Sequence, residues 1–212
     1  RLAVAHESEQ RGHEVDLRDG LVAAAAQCAV GGVQQANDVV VAGEDARGVR
    51  EFFTRYMIGH EYKNRATEPL LAGVTREKAA EITGLDKNKR YILISGGSMG
   101  AGKLVLAIKL LYDRYKNDKK IGLVVICGSN KWLYNRLAGR YPDKITAVRF
   151  TDKMASYMRM AEVFITKPGG LSATEGAVLG VPMVHIMSIP GCETLNMRFF
   201  AQHGMSVPVK RI

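Results

Sequence analysis

From Tyr91 to Val209 the chain alternates short apolar runs with helix-like segments, and turns rich in glycine or proline separate several of them. Tyr91 to Ser95 reads as a strand, Gly96 to Gly102 as a turn, and Lys103 to Lys116 as a helix with Leu104, Ile108 and Leu111 at helical spacing. Leu123–Cys127, Ile145–Phe150, Val163–Thr166, Val181–Met187 and Met205–Val209 read as further strands. The helices between them are Lys131–Arg140, a segment ending at Met160 with Asp152 as its candidate cap, Leu171–Leu179 and Glu193–Gln202. Apolar strands alternating with helices predict a parallel sheet covered on both faces. Each glycine turn that follows a strand then lies at the carboxyl edge, where such sheets bind ligands.

Residues 1–86 are less regular. Leu2–Arg11 looks helical, and His13 to Leu17 alternates like a half-buried strand. Val39–Ala42 reads as a short strand and Glu44–Met57 as a helix. Thr75 and Gly84 would cap and end a helix over Thr75–Thr83. A boundary is placed near Asp86. This gives a partial N-terminal domain over 1–86, with chain expected to be missing near 21–37, and a C-terminal domain over 87–212. The chain begins at Arg1 inside a helix-like segment and is read as a piece of something longer.

The net charge of +9 is uneven. From Lys87 onward there are 20 Lys and Arg against 7 Asp and Glu, and before it 10 against 14. The basic part suits an anionic ligand or an anionic membrane surface. The basic helix end from Lys109 to Lys120, with Tyr112 and Tyr115, reads as a solvated face, with lipid contact as the sharper alternative. No aromatic stripe, zinc finger or RNP-type motif supports nucleic acid as a partner. Cys28, Cys127 and Cys192 share no ligand spacing, which argues against a disulfide framework or zinc site and for a reducing compartment. No apolar run reaches the roughly 18 residues of a membrane span.

The strongest motif is Thr166-Lys167-Pro168-Gly169-Gly170-Leu171-Ser172, with Glu175 one turn into the helix that follows. Adjacent glycines let the main chain approach a bulky anion, and a helix N-terminus favours negative charge. Lys167 could neutralise a phosphate, Ser172 and Thr174 could bond its oxygens or cap the helix, and Glu175 could accept from both hydroxyls of a ribose. The bland reading is a packing turn with a surface glutamate. Gly97 to Lys103 nearly spells a P-loop, but Leu104 offers no hydroxyl for Mg²⁺; a different glycine-rich ligand loop is the better reading. In Ile189–Asn196, Glu193 and Asn196 stand three apart and suit paired contacts to sugar hydroxyls, or simply an acidic first turn. His185 in its apolar strand reads as a satisfied core histidine. No metal-ligand pattern is present.

Together these residues resemble the monogalactosyldiacylglycerol synthases and processive diacylglycerol glucosyltransferases, and more distantly the peptidoglycan enzyme that adds GlcNAc to lipid I. Ile94–Ala101, Ile126–Lys131, Phe150–Met154, Thr166–Ser172, Glu175 and Ile189–Glu193 follow the order and spacing of that family. The resemblance implies a GT-B fold, with Rossmann-like domains facing a cleft, and places UDP-sugar in the C-terminal one. It puts Gly97 and Ser98 near the donor phosphates or sugar, Gly128 at the base pocket, and Phe150 and Thr151 on uracil, mainly through the main chain. Gly169, Gly170, Leu171 and Ser172 would bind the diphosphate, Glu175 the ribose, and Glu193 and Asn196 the hexose. It implies inverting, metal-independent hexosyl transfer from a UDP-hexose to diacylglycerol or a related lipid. No cofactor is implied, no catalytic base is assigned and one is expected outside this chain, and the implied location is cytoplasmic and peripheral on the membrane. Cys192 stands where the family has Gln, a weaker hydrogen-bonding group. A non-catalytic nucleotide-sugar-binding module is the alternative; a P-loop NTPase and a UDP-GlcNAc 2-epimerase-type isomerase stand further behind.

Overall fold

The structure, a computed structural model, describes residues 74–96, 101–186 and 192–209. The expectations for residues 1–73, for Gly97 and Ser98, and for the side chains of Lys103 and Cys192 lie outside the described residues.

Six strands form one parallel sheet: β1 (Arg90–Ser95), β2 (Ile121–Gly128), β3 (Ile145–Arg149), β4 (Ala161–Thr166), β5 (Met183–His185) and β6 (Ser206–Pro208). The helices are α1 (Arg76–Thr83), α2 (Ala101–Tyr115), α3 (Lys131–Leu137), α4 (Met154–Met160), α5 (Gly170–Val178) and α6 (Cys192–Gln202). The strand order is β3-β2-β1-β4-β5-β6, the Rossmann order. The expected α/β architecture, a Rossmann-like parallel sheet with helices on both faces, is therefore present.

Each central strand is apolar on both sides because both faces are covered. Ile92, Ile94, Leu123, Val125, Val163 and Ile165 pack with α2 and α3. Leu93, Val124, Ile126, Phe164 and Met183 pack on the opposite face with α1, α4, α5 and α6. Fully burying one such side chain stabilises by roughly 1.5–3 kcal/mol.

Helix ends depart from expectation where local hydrogen bonding decides otherwise. Thr75 caps α1, accepting from the Lys78 N–H, and Gly84 ends it in the left-handed region at φ 71°. The guanidinium of Arg76 donates to the carbonyls of Met160 (3.1 Å) and Lys89 (2.7 Å). The helix before Asp86 is thereby tied to α4 and to the entry of β1. Helix α3 stops at Leu137 rather than Arg140, two residues before Gly139 at φ 71°. Asp152 does not cap α4; Lys153 holds that position without a side-chain bond, and its own N–H donates to Thr151 Oγ1 at 3.0 Å. The strand expected over Val181–Met187 is three residues long. The Val181 N–H is spent on the Gly176 carbonyl at the end of α5, and Pro182 has no N–H to give.

Candidate donor site

Strand β1 lies between β2 and β4 in the middle of the sheet. The chain leaving β1 enters α2 on one face, and the chain leaving β4 enters α5 on the other. A crevice opens where two such connections diverge at the carboxyl edge. The register aligns Ser95 with Thr166 and Thr166 with His185, so the turns after β1, β4 and β5 start level with one another.

The candidate residues stand in a row along this edge. Phe150 follows β3 and is 68% exposed. Thr151 beside it has its hydroxyl oxygen occupied by the Lys153 N–H. Gly128 ends β2 at φ 56°, which turns the chain out of the sheet in a conformation that suits glycine. Lys167 to Gly169 follow β4, and α6 begins after β5. At the usual spacing of about 4.8 Å, the row from β3 to β5 spans about 19 Å.

At the start of α5, Gly169 is the N-cap and contributes no side-chain oxygen to the first-turn amides. Its φ of −74° is ordinary. An added Cβ would lie 3.6 Å from Lys167 Cε and 3.9 Å from Glu193 Oε1, in normal contact. Neither backbone angle nor packing therefore demands glycine at 169. Leu171, in the first turn, is 40% exposed, and Ser172 is half-buried. Thr174 is turned away from any phosphate: it is buried, and its hydroxyl donates to the Gly170 carbonyl at 2.6 Å.

The two residues expected at the sugar grip the Pro-Gly-Gly turn. Glu193 Oε1 accepts from Lys167 Nζ at 2.7 Å, with both side chains largely removed from solvent. Asn196 Nδ2 donates to the Pro168 carbonyl at 3.0 Å. Their three-residue spacing on one helix face was legible; their long-range partners, 26 and 28 residues away, carried no local signal. Glu175, in the second turn of α5, is partly buried, and burial pushes its carboxyl up to about 7. His185 is fully buried against the edge of Phe200. The expected satisfied core histidine is half right: the ring is in the core, but no described residue bonds either ring nitrogen, and burial pushes its pKa down to about 4.

Among the described residues no three His, Cys, Asp or Glu side chains are grouped to hold a metal ion, and no helix is long and apolar enough to cross a membrane.

Residues 91–208 match the Glycosyltransferase family 28 C-terminal domain. The chain is 33% identical over 143 residues to the processive diacylglycerol beta-glucosyltransferase of Bacillus pumilus, covering 66% of this chain and 37% of that protein. It is 32% identical over 130 residues to the Bacillus subtilis protein of the same name, covering 60% and 33%. The chain thus spans about a third of the length of these curated relatives. Among solved structures, the glycotransferase of kitacinnamycin aligns over 60% of this chain and 31% of its own, with 20% identity and a TM-score of 0.48. The match over 91–208 takes in the six-stranded sheet except for Arg90 at its start, together with every described candidate residue, and by it the chain belongs to glycosyltransferase family 28, of which it carries the C-terminal domain.

Proposed function

We propose that this chain is the donor-binding half of a UDP-sugar-dependent hexosyltransferase that glycosylates diacylglycerol or a related lipid at an anionic membrane surface. The observation that carries the reading is the turn at Lys167–Gly170. It sits at the topological switch point and opens a helix whose cap supplies no side-chain oxygen, next to a lysine. The relatives' names, which specify diacylglycerol, support the acceptor.

The nucleotide lies along the row. Uracil sits at Phe150 and meets the main chain of Thr151, whose hydroxyl oxygen already accepts from the Lys153 N–H. Gly128 borders the base, with Gly97 and Ser98 near the phosphates. The diphosphate rests on the amides of Gly170, Leu171 and Ser172 beside Gly169, and the ionised carboxyl of Glu175 accepts from the ribose hydroxyls. Glu193 and Asn196 stand at the hexose end.

The acceptor hydroxyl oxygen attacks the anomeric carbon from the face opposite UDP. The carbon–oxygen bond to the diphosphate breaks, and its electron pair stays with UDP. The developing charge faces preorganised N–H groups and the Lys167 ammonium, which supply the stabilisation a metal gives elsewhere. Losing one such donor typically costs about 2.7–4 kcal/mol of barrier. The acceptor's proton goes to a base that no described residue is assigned to provide.

Calorimetry of the chain with UDP, UDP-glucose, UDP-galactose and UDP-GlcNAc tests the reading. UDP should bind, and Glu175→Ala should weaken it by roughly 1.5–3 kcal/mol. Absence of binding to all four would refute the donor site. Binding without release of UDP from UDP-hexose in the presence of diacylglycerol vesicles would leave the chain a binding module.

A further inference from the structure

We infer that Asn196 is a positioning residue for the donor's diphosphate. It acts through the Pro168 carbonyl on the turn whose amides receive phosphate, and not through the hexose. This rests on the donor-site reading above and gives Asn196 a part in it that its place at the hexose end does not suggest.

The turn is short, and its peptide planes decide where the amides point. The Gly169 N–H donates to the Lys167 carbonyl at 2.8 Å, closing a three-residue turn that the proline ring suits. The Ala173 N–H donates to the Gly169 carbonyl at 3.2 Å as α5 begins. The N–H groups of Gly170, Leu171 and Ser172 stand ahead of that first helical bond, where a phosphate would meet them. Their directions follow from the Pro168–Gly169 peptide just upstream. Glycine reaches φ of either sign at little steric cost, so this peptide could turn over unless something holds it. The observed φ of Gly169 is −74°.

Asn196 holds the peptide from the other side. Its Nδ2 donates to the Pro168 carbonyl at 3.0 Å, across 28 residues of chain. With its N–H on Lys167 and its carbonyl on Asn196, the Pro168–Gly169 peptide is bonded at both ends. The support behind Asn196 is firm. Phe200, one helical turn further along α6, is 2% exposed and packs with Phe164 and Met183 of the sheet. Asparagine is a weak helix former, so the helix itself does not explain its presence as the fifth residue of α6. The neighbouring Lys167–Glu193 contact cannot take over this part. It joins two side-chain ends, and the lysine stem is flexible, whereas Asn196 bonds the main chain directly.

Without the Nδ2 donor the turn takes more than one arrangement, and the diphosphate must order it on binding. That loss falls on phosphate, and UDP and UDP-sugar share it alike.

Binding of uridine, UDP and UDP-glucose to the wild-type chain, Asn196→Leu and Asn196→Ala tests this, by NMR titration for uridine and calorimetry for the other two. Leucine keeps the approximate size of asparagine and removes the donor; alanine serves should the leucine variant fail to fold. UDP and UDP-glucose should each weaken by about fivefold, the size of one lost hydrogen bond, and by factors that agree within about twofold. Uridine, which brings no phosphate, should stay within about twofold of wild type. A loss confined to UDP-glucose, or clearly larger there than for UDP, puts Asn196 on the hexose and overturns the inference. Equal weakening of all three ligands means general damage to the fold and overturns it as well, as does unaltered UDP binding. A wild-type chain that binds none of the three overturns the donor site itself, and the two failures are thereby told apart.

Discussion

At the scale of single residues, the sharpest question is why Gly169 is a glycine. Its backbone angle is open to any residue, and a Cβ would find only ordinary contacts. Its place at the N-cap of α5 already favours glycine over alanine, and a phosphate resting on the turn would be a second reason, since an added methyl would stand where the anion would have to come. If phosphate binds there, Gly169→Ala should cost no more than about 1 kcal/mol in urea, through the poorer cap, while binding UDP at least tenfold more weakly. Unaltered UDP affinity would return the residue to a bland turn. Glu175 supplies a second test. Its carboxyl titrates near 7 because burial disfavours the charge. If the ionised form holds the ribose, affinity for UDP-glucose, whose diphosphate has no group titrating nearby, should rise by up to about tenfold between pH 6 and pH 8. Glu175→Gln should bind more weakly and without that rise. Equal slopes in calorimetry at the two pH values would detach Glu175 from the sugar.

At the scale of elements, the site depends on how closely α5 sits on the sheet. A Cβ at Gly176 would lie 2.7 Å from Met183 Sδ and 3.4 Å from Phe164 Cδ1, so the helix packs on β4 and β5 with its backbone. Gly176→Ala should cost about 1–3 kcal/mol through overpacking. By tilting α5 it should also weaken UDP binding, although residue 176 lies nearly two turns from the first-turn amides proposed to hold phosphate; a variant as stable as wild type in urea would show the helix to be loosely seated. The elements themselves were legible because strands buried on both faces leave continuous apolar runs such as Leu123–Cys127. Boundaries were less so. Val181 carries strand propensity, yet its N–H answers to the end of α5, a bond that no local pattern announces. The site was legible as turns and lost detail at side chains: Glu193 and Asn196 were read toward a sugar, while the fold first engages them on a turn 26 and 28 residues upstream. Thr174 failed as a phosphate ligand because helix phase buries it, which depends on where α5 begins.

At the scale of the whole molecule, a buried histidine and a partly buried glutamate act on stability with opposite signs. His185 has a folded pKa of about 4, below the usual 6.5. The unfolded chain therefore binds the proton first as pH falls, and stability is lost between 6.5 and 4. Glu175 has a folded pKa of about 7, above the usual 4.5. Here the unfolded chain releases the proton first as pH rises, so stability is lost between 4.5 and 7 and regained on acidification. From pH 7.5 to pH 5 each contribution amounts to roughly 2 kcal/mol, and they oppose each other. The wild-type profile should be nearly flat across that range, and only variants should expose the two slopes. His185→Met removes an imidazole whose nitrogens no described residue satisfies, so stability at pH 7.5 should hold or rise, since a buried unbonded polar group is itself a penalty. That variant should then gain stability in urea as pH falls to 5, while Glu175→Gln should lose it. Parallel profiles for wild type and both variants would mean that a partner for His185 and water at Glu175 have already cancelled the effects of burial. A sloping wild-type profile that is kept in one variant and flattened in the other would mean that only one of the two groups is held away from its ordinary titration.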